Sequence, residues 1–166
     1  MLHKLIERRQ RGSEEGFTLI ELMVVVLIIA ILIAIAIPTF LGARSRAQDR
    51  AAQSNLRNAL TAEKTYYTDA QAYTTDIAAG GALNSIEPNL VFNAAPDQGI
   101  AVNQFAADTA GVCLTRKSAS GTFFAIWESA SKGTFYGKGA GADLTAANAC
   151  KVSTGAQPAG FVQTGW

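Results

Sequence analysis

Glu21 is the one acid in a long apolar run. From Phe17 to Ile37 only Thr18 and Glu21 carry polar side chains, and from Leu22 to Ile37 none does. A carboxylate near hydrocarbon is costly, so Glu21 needs a partner or a task. Phe17 stands four residues earlier and shares its helical face. The second pair with chemistry is Cys113 and Cys150. Beyond a membrane segment, an even pair most simply forms a disulfide in an oxidising space, closing a loop worth roughly 3–4 kcal/mol. Two free buried thiols are the alternative. Little else could catalyse. The single histidine is His3, near the start, which leaves no histidine for acid–base work or metal ligation further on. Two cysteines so far apart make no zinc cluster, and no phosphate-binding or dinucleotide fingerprint is present. The sequence implies no enzyme, no metal and no cofactor.

Several elements must position these residues. Phe17 to Ile37 is long enough to cross a bilayer as a helix. Phe17 to roughly Tyr73 reads as one helix, about 85 Å long, interrupted at Pro38. Pro38 lacks an amide and clashes with the preceding turn, and Gly42 follows. The pair predicts a kink, or a locally melted stretch in a packed assembly. After Gly42 the pattern becomes amphipathic. Ala52, Leu56, Ala59, Leu60, Tyr66, Tyr67 and Ala70 recur near the helical period, with Arg50, Arg57, Glu63 and Lys64 between them. Residues 74–98 form a polar connection punctuated by Gly80, Gly81, Pro88 and Pro96. Candidate strands follow at 100–106, 112–117, 122–128 and 134–136, separated by Gly111, Gly121 and Gly133. They predict an antiparallel meander packed on the second half of the helix. Asp143 is read as the cap of a short helix over 144–149. The expected class is α+β.

The chain has 166 residues and a formal charge of +1. That excess lies at the start, where Lys4, Arg8, Arg9 and Arg11 outnumber Glu7, Glu14 and Glu15. The remainder is neutral in side chains. A neutral chain does not advertise nucleic acid or acidic lipid as its main partner, and it permits close packing of many copies.

Gly16-Phe17-Thr18-Leu19-Ile20-Glu21, the apolar run behind it and Pro38 at that run's end resemble the class III signal of type IV prepilins and pseudopilins. The resemblance covers roughly residues 16–73, and the C-terminal half matches in outline. It implies a prepilin peptidase that cuts between Gly16 and Phe17 and methylates the new Phe17 amine. Gly16, without a side chain, lets a protease approach the backbone closely. Residues 1–16 would then be a leader, 17–42 the membrane and filament-core half of the helix, and 43–166 a globular head. Within the head the expectation is an amphipathic helix over 43–73, the connection over 74–98, and a sheet with a disulfide-bounded region over 99–166. The new amine is cationic near neutral pH. In a bundle of parallel subunits, Glu21 of one could meet the Phe17 amine of the next and set axial register. The resemblance further implies an assembly platform and a polymerising ATPase. It places the precursor in the cytoplasmic membrane as a single-pass protein, and the product in an extracellular filament made of many copies. A Cys113–Cys150 bridge resembles the one that pins the C-terminal region in pilins.

Other readings compete with this one. Ala34-Ile35-Ala36 has the form of an ordinary signal-peptide cleavage site, but the apolar run exceeds a usual signal core and would not hold Glu21. A plain anchor leaves the Gly-Phe junction unexplained. A pseudopilin of type II secretion or DNA uptake is the alternative function. The absence of any acid after Asp143 argues against the C-terminal calcium site that major pseudopilins share. Arg116, Lys117, Lys132, Lys138 and Lys151, near aromatic residues, could bind DNA; a solvated face is the plainer reading. Tyr66, Tyr67 and Tyr73 are read as packing residues rather than charge carriers.

Overall fold

The computed structural model describes residues 16–105, 108–139 and 160–166. Its order is α1 (Leu19–Ala70), α2 (Ala82–Ile86), β1 (Ala101–Phe105), β2 (Asp108–Lys117), β3 (Phe123–Ser129) and β4 (Gly133–Gly139). The fold is α+β. Two compact units divide between Gly42 and Ala43.

The first unit holds the apolar half of α1. Leu, Ile, Val and Ala propagate the helix without any polar side chain competing for its backbone. Helical structure continues through Pro38. That proline offers no amide to Ala34, and the Thr39 hydroxyl donates to the Ile35 carbonyl one position on, at 3.1 Å. The large apolar side chains from Phe17 to Leu41 are all exposed. Among the described residues, α1 is the one helix long and apolar enough to cross a membrane.

In the second unit, Ala52, Leu56, Ala59, Leu60, Ala62 and Glu63 form the buried stripe of α1. Small residues at 52, 59 and 62 let the helix approach the sheet, and Leu56 fills the space between. Burying one such leucine contributes about 2 kcal/mol. The opposing residues are Val112 and Leu114 of β2 and Phe124 and Ile126 of β3. The sheet is fully antiparallel in the order β1-β2-β3-β4. β3 is buried along its whole length because both faces are covered. Its other face packs Phe123, Ala125 and Trp127 against Cys113, Phe135 and Phe161.

Several boundaries differ from the sequence expectation. α1 stops at Ala70, because Gln71 takes a left-handed φ of 54°. The Gln71 side chain turns back and donates to the carbonyl of Thr68, and to that of Tyr67, which also accepts from the Gln71 amide. Ala70 is exposed, and Glu63 is buried rather than solvated. The 74–98 connection contains α2 and a parallel bridge between Phe92 and Ile100. Gly111 lies inside β2, paired with Ser129, instead of ending a strand. The expected helix over 144–149, with its Asp143 cap, lies outside the described residues.

Residues 160–166 return to the sheet and pass around β4. Phe161 lies on the face away from α1. Val162 exchanges two backbone hydrogen bonds with Tyr136, at 2.8 and 2.9 Å. Trp166 lies on the α1 face. It meets Phe124 and Tyr136 edge-on, donates to the Gly137 carbonyl at 2.7 Å and sits 5.0 Å beneath Arg57.

Candidate functional site

The N-terminal residues singled out by sequence are open to solvent. A Cβ on Gly16 would meet nothing within 4 Å, and Phe17 is 90% exposed. A protease could therefore reach the junction between them. Thr18 and Glu21 close a reciprocal cap at the start of α1. The Thr18 hydroxyl accepts from the Glu21 amide at 3.2 Å. Glu21 Oε2 in turn accepts from the Thr18 hydroxyl at 2.9 Å and from the Thr18 amide at 3.2 Å. This capping box satisfies amides that the first turn otherwise leaves bare. Thr-x-x-Glu was legible in the sequence as a helix-start signature, but Glu21 drew notice there only as an isolated charge. Glu21 Oε1 makes no hydrogen bond to the described residues and remains free to accept. Pro38 and Gly42 both lie within continuous helix.

Cys113 is fully buried on the sheet face away from α1, beside Ala125 and Trp127. No cysteine among the described residues is a free thiol. Cys150 lies outside them.

Among the described residues, the basic side chains do not gather into one surface. Lys117 lies over Phe123 at 5.5 Å, whereas Lys138 lies over Phe124 at 5.9 Å. Phe123 and Phe124 belong to opposite faces of the sheet. Arg116 is half-buried, and its desolvation pulls the guanidinium below its usual pKa. Lys132 is exposed, and Lys151 lies outside the described residues.

A polar cluster that sequence reasoning missed lies where α1 ends. Glu63 is fully covered, and burial pushes its carboxyl up to about 7, opposed by a hydrogen bond from the Thr74 amide. Tyr73 is raised from its ordinary value, first by burial and then by the neighbouring Glu128, Tyr67 and Glu63. The Tyr67 and Tyr73 rings lie 4.7 Å apart, as packing residues do. Lys64 reaches Glu128 on β3 at 3.0 Å, and Glu128 also accepts from the Thr134 hydroxyl. The available clue was spacing: Glu63 falls four residues after Ala59 and seven after Leu56, on the apolar stripe itself.

An apolar helix behind an exposed Gly-Phe junction, with a small antiparallel sheet packed on the helix's second half, is a pilin-like α+β fold. Residues 8–37 match the family described as the prokaryotic N-terminal methylation motif. The chain is 38% identical over 66 residues to the type IV major pilin protein PilA of Myxococcus xanthus, covering 40% of this chain and 30% of that protein. It is 35% identical over 83 residues to the type IV wide pilus major component PilA4 of Thermus thermophilus, covering 49% of this chain and 63% of that protein. Both matches span less than two thirds of the relative. The chain is thus similar to type IV major pilins over part of its length, and its start to the N-terminal methylation motif.

Proposed function

We propose that this chain is a structural subunit of a type IV pilus. It is made as a precursor, cut after Gly16, methylated on the Phe17 amine and polymerised through the apolar half of α1. The carrying observation is the exposed apolar surface, unbroken from Leu22 to Ile37, behind an exposed Gly16–Phe17 junction. In a membrane that surface faces lipid. Outside one it needs other copies, because burying it removes large apolar area from water. Residues 1–16 are the leader, 17–42 the anchor and then the filament core, and 43–166 the head on the outer surface. Pro38 and Gly42 let this half of the helix bend or melt as it packs. Prepilin peptidase, an assembly platform and its ATPase are the partners this route requires. The precursor resides in the cytoplasmic membrane and the product on the cell exterior. The role is structural rather than enzymatic.

Two contacts complete the reading. The free Oε1 of Glu21 accepts the Phe17 amine of a neighbouring subunit while Oε2 keeps the Thr18 cap. Cys113 bridges to Cys150. The test is to shear filaments from producing cells and take the mass and N-terminal sequence of this chain. Abundant protein starting at methylated Phe17 in the sheared fraction is expected. Mature protein confined to the envelope would point to a pseudopilin, and a start at Ile37 would mean the run is an ordinary signal peptide. Glu21→Ala is expected to abolish filaments; wild-type assembly in that variant refutes the register contact.

A further inference from the structure

Glu63 occupies an unusual position for an acid. Its side chain is fully buried on the face of α1 that meets the sheet. Oε2 accepts one hydrogen bond, from the Thr74 amide at 3.1 Å. Oε1 is buried without a partner. Thr74 belongs to the connection that leaves α1, three residues beyond Gln71, the single non-glycine residue with positive φ among those described. Between them, the buried Tyr73 offers its carbonyl to the Gln104 side chain of β1. Thus the chain leaving α1 is held by one acceptor from the helix and one donor from the sheet.

We infer that Glu63 is a proton-operated latch: uncharged, it holds the 71–77 connection against the end of α1, and on ionising it releases that connection to water. A neutral carboxyl with one hydrogen bond is tolerable in an interior. A buried carboxylate with one bond and one bare oxygen is not, unless a cation or water reaches it. No cation among the described residues is placed to do so. The ionisable groups that meet here are Tyr73 on the connection, Tyr67 on α1 and Glu128 on β3. The neighbouring Lys64 is already paired with Glu128. An ionised Glu63 therefore adds a second negative charge facing Tyr73, which Glu128 already faces. The connection is the part that can yield. Beyond Glu63 and Gln104, its hydrogen bonds are internal or reach only α2: the Asp76 amide donates to the Thr74 hydroxyl, the Ile77 amide to the Thr75 carbonyl, and the Asp76 carboxylate accepts from the Ala82 amide. Opening it admits water to Oε1 without unpairing the sheet. The raised Glu63 carboxyl puts this transition close to neutrality.

The test is hydrogen exchange on the full chain in detergent micelles between pH 5 and 8, expressed as protection factors so that base catalysis is removed. With Glu63 titrating near 7 when covered and near 4.5 when exposed, protection of the Thr74 amide is expected to fall roughly 70-fold across this range. Thr74 should exchange through a smaller free energy than β3 at every pH, because β3 is buried along its whole length and opens only with the whole fold. Glu63→Gln keeps the acceptor for Thr74 and removes the titration, so its protection should be flat with pH. Equal loss in E63Q and wild type, or no loss in wild type, overturns the proposal. Should E63Q fail to fold, a carboxyl-carbon NMR titration of the unsubstituted protein decides. A Glu63 midpoint near neutrality that tracks Thr74 protection supports the latch, and the midpoint of an exposed glutamate overturns it.

Discussion

Gly137→Ala tests the way residues 160–166 are fastened to β4. A Cβ on Gly137 would lie 2.7 Å from Cε2 and Cζ of Phe161 and 3.0 Å from Cε1. Carbon atoms rest about 3.5–4.0 Å apart, so the ring must retreat by about 1 Å. It has little freedom to do so. Phe161 is only 2% exposed, and the next residue is pinned by two backbone hydrogen bonds to Tyr136. Shifting Gly137 instead would disturb its carbonyl, which accepts from Trp166. Overpacking a rigid site costs about 1–3 kcal/mol, and this one belongs near the middle, about 2 kcal/mol. For a chain of this size that is a fall in melting temperature of about 6 °C. Urea unfolding of the full chain in detergent, followed by the fluorescence of Trp127 and Trp166, measures it. Adding Phe161→Leu to the glycine substitution should restore part of the loss, although Phe161→Leu alone destabilises. That opposite sign is the mark of a steric clash in a double-mutant cycle. A Gly137→Ala protein within about 0.5 kcal/mol of wild type, the range of an ordinary surface change, would refute the reasoning.

Thr18→Ala should fray the first turn of α1 at a cost of about 1 kcal/mol, read as a loss of helical carbon chemical shifts confined to residues 18–22. Global stability should fall as pH rises from about 4.5 through 7. Glu63 carries its higher pKa in the folded state, so its stabilising contribution is complete below the unfolded value and lost through the folded one. The expected loss is on the order of 3 kcal/mol, seen as a drop in urea midpoint between pH 5 and 8 that Glu63→Gln removes. Lys64→Met should cost about 1–2 kcal/mol. It leaves the buried Glu128 with Thr134 as its partner, and the half-exposed lysine makes the loss smaller than for a fully buried pair. Urea midpoints of that variant and of Lys64→Met with Glu128→Gln should show the second change restoring stability.

Much of this architecture was legible in the residues. The apolar run, the Gly-Phe junction and the glycine-separated strands pointed to an α+β chain with a long N-terminal helix, because hydrophobic period and turn residues act locally. Glu63 escaped because polar residues on an amphipathic helix are normally assigned to the solvated face, and only tertiary contact with Thr74 makes its burial tolerable. The stop at Ala70 escaped as well. Gln71 is not a residue that advertises a left-handed conformation, and its side-chain bonds to Tyr67 and Thr68 compensate for it. The Gly111 reading failed because glycine inside a strand marks a strand end only statistically. The return of residues 160–166 to β4 is a long-range contact with no periodic signature.

That return has a further consequence. In an open sheet the two outermost strands present unpaired amides and carbonyls, a template for adding strands from another molecule. Here each margin is capped at one point by an isolated bridge. Val91 and Asn93 bond to Ile100 just ahead of β1, and Val162 occupies β4 at Tyr136. In the filament proposed above, copies crowded side by side would thus be discouraged from fusing through their sheets. Their mutual contacts would be left to side chains, which can be made and broken without unravelling either partner.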